Sequence, residues 1–298
     1  MLLRMKKITR DKAIFFTISY GLVICLSIFC LLPFILVISG SLSSQESILI
    51  YGYSLFPRDF SLEAYKLAFM VPEALLRAYG VTMAVTIVGT SLGLFITAMT
   101  GYVLSRKDFD WRNRFAFFFY FTTLFSGGLV PWYILCVKYL KFNDNFLALF
   151  LPSLLNVFYI LVMKSFMNAI PEAISESAKI DGANDFRIFA ELIMPLSKPA
   201  LATIGLFIAL GFWNDWYFTY MFIQNDKMFT LQYYLYKIVV GADMLAKMGN
   251  TPGNSNAVFP TEALKMALTV ITTGPILLLY PSVQKYFVSG ITIGAVKG

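Results

Sequence analysis

Long apolar runs without charge alternate with short charged segments along most of the chain. Runs without Asp, Glu, Lys or Arg cover 13–45, 78–105, 115–137, 145–163 and 266–284, and a further run, 199–225, is interrupted only by Asp215. A helix needs about 20 apolar residues to cross the hydrocarbon core of a bilayer. The pattern therefore predicts an all-α integral membrane protein with six transmembrane helices, near 13–38, 79–104, 115–137, 145–163, 200–222 and 265–284.

The distribution of Lys and Arg between these runs indicates an orientation. Basic residues are more frequent in 1–12, 105–114, 164–199 and 285–298 than in the alternate segments, and most of all at the N-terminus. Because basic loops stay in the cytoplasm, we expect both termini there. The predicted organisation is an N-terminal segment 1–12, a six-helix transmembrane domain 13–284 and a cytoplasmic tail 285–298. Within the domain, loop 164–199 is expected to be cytoplasmic, and the long loops 39–76 and 223–263 extracytoplasmic.

Composition excludes several classes of protein. The chain is 58% hydrophobic and 14% charged, against about 25% charged residues in soluble domains, which excludes a soluble enzyme or a disordered chain. It has no His, and its three Cys lie in apolar runs, so we expect no catalytic residue and no metal site. We attribute the net charge of +7 to basic loops facing anionic lipid, and we expect no nucleic acid partner.

The predicted cytoplasmic loop contains a second kind of pattern, two short helices joined at a glycine. Pro171 suits the first position of a helix, and Asp181-Gly182 is typical of a helix end. The spacing of Phe186, Phe189, Ala190 and Ile193 predicts one apolar face of a second helix, which Pro195 is expected to end.

The loop has two interpretations, a connector on the membrane surface and a docking element for another protein. An amphipathic connector lying on the membrane surface is the simpler one. However, the loop carries the acids Glu172, Glu176, Asp181, Asp185 and Glu191 against only Lys179 and Arg187 in the same stretch. An acidic surface fits a basic protein groove better than anionic lipid, so the charge favours docking to a protein.

The loop resembles the EAA loop of binding-protein-dependent ABC importer permeases in its carbohydrate, maltose-type form. That pattern is E-[AS]-A-x-x-D-G-A, then F, then I-x-P, and its positions here are Glu176, Ser177, Ala178, Asp181, Gly182, Ala183, Phe186, Ile193 and Pro195. The tail 284–298 resembles the end of the second permease subunit of such importers. The resemblance is nearest to the subgroup that handles oligosaccharides and polysaccharide fragments.

The resemblance implies a type I ABC importer permease that binds no cofactor itself. The chain has no G-x-x-x-x-G-K-[ST] stretch, and in the family a dimer of partner ATPase subunits binds ATP and Mg²⁺. By the resemblance, the nine motif residues couple this chain to that ATPase, with Glu176 facing a basic residue. The other implied partners are a second homologous permease, an extracytoplasmic solute-binding protein, membrane lipid and a sugar or oligosaccharide substrate.

Polar and aromatic residues near the outer end of the fifth predicted span are candidates for the substrate pathway. They are Trp213, Asn214, Asp215, Trp216 and Tyr217, to which Asn156 in the fourth span is added. An ionisable group inside a membrane helix indicates function. Alternatively, the helix ends near Phe212 and leaves Asp215 at an aromatic-rich interface.

Three other functions compete with this one. A permease for a non-sugar solute would carry the same loop. An ion-coupled secondary transporter commonly has internal repeats and intramembrane charges, but Asp215 is the single such candidate and no repeat is visible. A purely structural membrane scaffold leaves the loop unexplained.

Overall fold

The computed structural model describes residues 10–249, 260–275 and 277, and these residues are helical with short connections. The helices are α1 (Arg10–Ser41), α2 (Gln45–Tyr51), α3 (Glu63–Ala68), α4 (Pro72–Ser105), α5 (Arg112–Leu124), α6 (Leu129–Ile134), α7 (Val157–Asn168), α8 (Glu172–Ile180), α9 (Asp185–Arg187), α10 (Met194–Leu196), α11 (Lys198–Trp213), α12 (Tyr217–Phe222), α13 (Leu231–Gly249) and α14 (261–275). The π-helical segments Leu135–Tyr139 and Ile188–Ile193 follow α6 and α9, and 3-10 turns form at Phe146–Leu149, Leu151–Ser153 and Asp226–Met228. The all-α prediction is thereby confirmed for the described residues.

The helices only partly match the predicted spans. Within the described residues, two helices are each long and apolar enough to cross a membrane, Ile14–Ser41 of α1 and the whole of α4. Three further pairs reach that length only together, and each pair is bent: α5 with 129–139 by 113°, 146–153 with α7 by 51°, and 185–196 with α11 by 83°. If each pair is one span, the described residues hold up to 5.

Local backbone chemistry explains why several spans are broken. The predicted span 115–137 is interrupted at Gly127-Gly128, where Gly128 has a φ of +87°, a value that disfavours other residues. In the predicted span 145–163, Asn156 caps α7 with its side chain, so a helix begins at Val157 rather than continuing. The prediction of single helices at 115–137 and 145–163 was therefore wrong.

The ends of the chain and its long loops also differ from a simple plan. Both predicted extracytoplasmic loops contain helices, α2 and α3 in 39–76 and α13 in 223–263. Helix α14 begins four residues before the predicted start at Lys265. The end of that span, the tail 285–298 and most of segment 1–12 lie outside the described residues.

The chain divides into two compact units, of which the first combines 1–70 with 238–274. In it, the buried side chain of Gln45 caps the beginning of α14. Its Oε1 accepts hydrogen bonds from the backbone N–H groups of Glu262 (3.0 Å) and Ala263 (3.2 Å), which have no partner within the helix. Ile48 and Ala64 pack with Ala263 and Ala267 beside this cap.

The second unit combines 71–237 with 275–298, and α4 is its central helix, packed against α7 and α11. Glycines on α4 allow this close packing. A Cβ at Gly89 would lie 2.6 Å from Cε2 of Phe212 on α11, and one at Gly101 would lie 2.8 Å from Cγ of Met163 on α7. Small residues commonly permit such approaches between membrane helices. Helix α4 therefore positions α7 and α11, the two helices that lead into and out of the predicted coupling loop (164–199).

Candidate functional site

The first helix of the coupling loop ends as the sequence predicts. Helix α8 begins after Pro171, which is its N-cap, and ends at Ile180. Gly182 has a φ of +82°. Its N–H donates to the carbonyl of Lys179 (3.0 Å) and the N–H of Ala183 donates to that of Ala178 (2.9 Å), the two bonds of a Schellman C-cap. The turn between the two helices is therefore fixed by Gly182.

The second helix buries a different face from the one predicted. Asn184 caps it, its side chain accepting from the N–H of Arg187 at 2.8 Å. Ile188, Phe189 and Ile193 are buried, whereas Ala190 is exposed and Phe186 is 64% exposed. The reason is the π-helical segment Ile188–Ile193, whose wider turn brings positions five apart onto one face. Of the four residues predicted to form one apolar face, Phe189 and Ile193 are thus buried, whereas Phe186 and Ala190 lie off the buried face.

Pro195 also differs from expectation, because it does not end the second helix. It lies inside the short helix α10, and the bend of 83° follows at Ser197, the residue before α11. Pro195 lacks a backbone N–H and so donates no helical hydrogen bond to the preceding turn, and the helical residues end one position later, at Leu196.

The motif residues divide into an outward and an inward set. Glu176, Ser177, Asp181, Gly182, Phe186 and Pro195 are exposed, Ala178 and Ala183 are half-buried, and Ile193 is buried. Ile180, between the motif positions, is 87% exposed. A Cβ at Gly182 would meet no atom within 4 Å, so within this chain the glycine is required for its φ and not for space. The loop thus has an acid, Glu176, and two large apolar side chains, Ile180 and Phe186, exposed on its surface.

A segment that the sequence patterns did not indicate as part of the site contacts this loop. Residues 106–108 follow α4 and line a cleft of about 440 Å³ together with 167–172 and with Ser175, Glu176 and Lys179 of α8, so the exposed Glu176 borders this cleft. Lys107 pairs with Glu172 (2.5 Å) and Asp108 pairs with Lys179 (2.7 Å). The signal was the charged stretch Arg106-Lys107-Asp108, which was predicted on the same side of the membrane as the loop. Pairing these charges with particular loop residues required the fold.

Two of the predicted pathway residues lie at one cavity. Asn156 and Asp215 line a cavity of about 210 Å³ together with Tyr159, Phe207 and Phe218. Both side chains also cap helices: Asn156 accepts from the N–H of Phe158 (3.0 Å), and Asp215 accepts from the N–H of Phe218 (3.2 Å). Helix α11 ends at Trp213, so Asp215 lies in a break before α12. The second of the two interpretations of Asp215, a helix end near Phe212, is the one that the backbone favours.

The predicted aromatic residues separate at this break. Trp213 is 8% exposed and Tyr217 is half-buried, while Trp216 is 41% exposed. Trp216 stacks on Tyr236 of α13 with ring centroids 5.2 Å apart, and its ring lies 5.9 Å from that of Tyr220. Burial leaves Trp213 inaccessible to a solute, which corrects its place in the predicted pathway. Tyr236 was missed because it is 20 residues from Trp216 and meets it only through the packing of α13, whereas Tyr220 is one helical turn from Trp216 and lay just outside the predicted set.

Asn214 and the possible metal ligands complete the description. The side chain of Asn214 donates to the carbonyl of Leu210 (3.0 Å) and accepts from Gln232 (3.3 Å), which ties the end of α11 to α13. Among the residues that the structure describes, no group of three or more His, Cys, Asp or Glu could hold a metal ion.

The apolar helices and their packing together define a class, a helical multi-pass membrane subunit. Residues 89–293 match the family model described as "Binding-protein-dependent transport system inner membrane component". The chain belongs to this family. It is a non-catalytic, multi-pass permease subunit of an ABC importer, which confirms the resemblance found in the sequence.

Individual relatives agree over most of the chain. "Protein LplC" of Bacillus subtilis (strain 168) is 39% identical over 90% of each chain. "Polygalacturonan/rhamnogalacturonan transport system permease protein YtcP" of the same organism is 37% identical over 96% of this chain and 99% of its own. Among solved structures, a chain of a bacterial ABC transporter involved in the import of the acidic polysaccharide alginate is 28% identical, with a TM-score of 0.77 over 94% of this chain and 98% of that one.

Proposed function

We propose that this chain is the second permease subunit of an ATP-driven importer for oligosaccharides or polysaccharide fragments. It crosses the membrane six times, has both termini in the cytoplasm and forms half of the translocation pathway with a homologous permease. A dimer of ATPase subunits binds ATP and Mg²⁺, and an extracytoplasmic solute-binding protein delivers the sugar. The observation that carries the proposal is the two-helix coupling loop with Glu176, Ile180 and Phe186 exposed on its surface.

The exposed side chains of the loop support docking to the ATPase. Ile180 is 87% and Phe186 is 64% exposed, and large apolar groups in such positions typically anchor a protein interface. Glu176 provides the charge that pairs with a basic residue of the ATPase. The small Ser177, Ala178 and Ala183 beside it allow close approach. Gly182 holds the turn between the two helices, so it fixes where Glu176 and Phe186 lie relative to each other.

The break between α11 and α12 supports a role in the substrate pathway. The exposed face of Trp216, stacked on Tyr236, suits the apolar face of a sugar ring. Asn156 and Asp215 at the neighbouring cavity provide polar groups for hydroxyls. Asn214 and the buried Trp213 hold the end of α11 in place and do not contact solute. Tyr217, half-buried next to Trp216, completes the set.

The relatives favour a particular class of sugar. One relative is a permease for polygalacturonan or rhamnogalacturonan, one structure is of a transporter that imports the acidic polysaccharide alginate, and a further relative is a permease for arabinooligosaccharides. We therefore propose fragments of polysaccharides, with acidic ones first in the order of testing.

Uptake by the complete assembly tests the proposal. The chain is reconstituted in vesicles with its partner permease, the ATPase dimer and the solute-binding protein, and uptake of labelled galacturonan and arabinan fragments is measured. We expect uptake that requires internal ATP and the binding protein. Uptake of a non-sugar solute alone would replace the substrate class. Uptake by this chain by itself, driven by an ion gradient, would contradict the proposal.

A further inference from the structure

Four charged side chains alternate between the end of α4 and the coupling loop. The Arg106 guanidinium binds both oxygens of Asp108 (2.9 and 2.6 Å), and Lys179 of α8 binds the same carboxylate at 2.7 Å. Asp185, the first residue of α9, lies 3.6 Å from Arg106 and 3.7 Å from Lys179. Each cation thus faces both anions, and the cluster joins one segment to both helices of the loop.

A separate ion pair joins the same segment to the other end of α8. Lys107 binds Glu172, the first residue of α8, at 2.5 Å, whereas Lys179 lies in its last turn. Helix α8 is therefore held at both ends by Lys107 and Asp108, two consecutive residues. A movement of α8 that keeps both contacts therefore also moves the segment that carries Lys107 and Asp108.

The segment is in turn firmly attached to α4. Arg106 is the C-cap of that helix, its side chain is 16% exposed, and its Nη1 donates to the hydroxyl of Tyr102 one turn earlier (3.2 Å). The ring of Tyr102 packs on Phe189 of the loop with centroids 5.3 Å apart. Hydrogen bonds from Arg106 and Lys179 hold the pKa of Asp108 well below its usual range, so this carboxylate stays charged in the cytoplasm.

These contacts are suited to transmitting motion rather than to stabilising the fold. Asp108 is 52% exposed and Lys107 is 71% exposed, and ion pairs at such exposure contribute little to stability. Helix α4 packs along α7 and α11, so a displacement at its cytoplasmic end reaches the interior of the second unit. A displacement of α8 by the ATPase would be passed to α4 through the ion pairs of Lys107 and Asp108.

We propose that Asp108 is a positioning residue. Together with Lys107 it attaches α8, the first helix of the coupling loop, to the end of α4, and through this attachment the movement of α8 reaches α4. The inference rests on the proposed function, because it assumes that an ATPase moves α8. It adds a second route to the direct one, in which α8 continues through the π-helical segment into α11.

The test compares coupling in the complete reconstituted importer carrying Asp108→Asn or the control Asp110→Asn. Asp110 is also exposed, and its change to Asn removes the same charge two residues further along the chain. We expect Asp108→Asn to assemble normally and to keep its basal ATP hydrolysis, but to lose about 3- to 30-fold of the hydrolysis stimulated by loaded binding protein and of uptake. Asp110→Asn should match the unchanged protein. Equal stimulated hydrolysis and equal uptake in the two variants would overturn the proposal that Asp108 couples α8 to α4.

A double-mutant cycle separates this attachment from direct contact between Lys179 and the ATPase. If the Asp108–Lys179 pair acts as a unit, Asp108→Asn with Lys179→Met loses no more than either single variant, and Lys179→Arg retains most of the coupling. Additive losses would contradict the proposal. If Asp108→Asn failed to assemble, the comparison of Lys179→Met with Lys179→Arg, measured by the same stimulated hydrolysis, decides. If the importer without any substitution showed no ATP-dependent uptake, that result would instead refute the proposed function. No ATPase would then be available to move α8.

Discussion

The coupling loop and the break after α11 show how differently two sites of one chain are encoded. In the loop, the turn at Asp181-Gly182 follows from a few neighbouring residues, and the structure places it where the sequence predicts. At the break, the same kind of reasoning chose five consecutive residues, 213–217, and the structure separates them. Trp213 is buried in the interior and Trp216 lies on the surface against Tyr236.

The difference shows that short-range hydrogen bonds can be predicted whereas partners distant in sequence cannot. A Schellman turn needs only its own backbone and a glycine, so its residues identify it. The exposure of an aromatic residue depends on which helices pack over it. Even within the loop, the prediction failed where the partner was distant: Phe186 points outward because a π-helical turn puts Ile188 and Ile193 on the buried face.

The largest expected effect comes from reversing the exposed charge of the coupling loop. Glu176→Lys should lower uptake and stimulated ATP hydrolysis at least tenfold, because it places a cation against the proposed basic site on the ATPase. The control is Glu191→Lys, the same change at an exposed acid whose partner Arg187 lies on its own helix. Membrane insertion, measured by the amount of this chain in the membrane fraction, should be equal in the two variants. Wild-type uptake by Glu176→Lys would remove the docking surface from this loop.

An intermediate effect is expected from the turn, where conformation rather than contact is at stake. Gly182→Val forces a β-branched residue to a φ of +82°, at a cost of about 1–2 kcal/mol or more. We expect uptake to fall about tenfold. Gly182→Asn is the matched control, because asparagine tolerates this conformation, and it should retain most of the activity. Equal losses in the two variants would mean that the space beside Gly182, not its φ, matters in the complex.

The smallest effect is expected at the aromatic pair, and it should differ in kind. Trp216→Ala should slow uptake about 2- to 10-fold at saturating binding protein, since stacking on an aromatic ring is worth about 0.5–1.5 kcal/mol. Stimulated ATP hydrolysis should remain, unlike in the loop variants. Trp216→Phe should recover part of the rate, and Trp111→Ala, at another exposed tryptophan, should change neither quantity. A loss of stimulated hydrolysis in Trp216→Ala would place Trp216 in coupling rather than in the pathway.

Much of the fold was predictable because solvent chemistry dictates it. The uncharged runs at 13–45 and 78–105 became α1 and α4, since an apolar helix of that length has few alternatives in a membrane. The runs at 115–137 and 145–163 are equally free of charged residues but break at Gly128 and Asn156. Hydropathy indicates which segments are stable in the membrane. It does not detect turns within such a segment that packing against neighbouring helices permits.

The charged stretch at 106–108 illustrates what remained hidden in the candidate site. Its composition indicated a cytoplasmic loop, but the partners of Lys107 and Asp108 are more than 60 residues away in sequence. No spacing rule connects such positions. They meet because α4 and α7 run side by side, which the close approach at Gly101 allows.

The sequence by itself determined that this protein needs lipid and that it is an ABC importer permease, and it predicts docking to a separate ATPase through one loop. Each of these follows from local quantities: the length of the apolar runs, the motif from Glu176 to Pro195 and the missing nucleotide-binding stretch. The tertiary structure alone decided which loop residues face outward, which aromatic rings are accessible and how α8 is fixed to α4. Those properties depend on packing between helices that are distant in the chain, and packing is a property of pairs of surfaces rather than of any single segment.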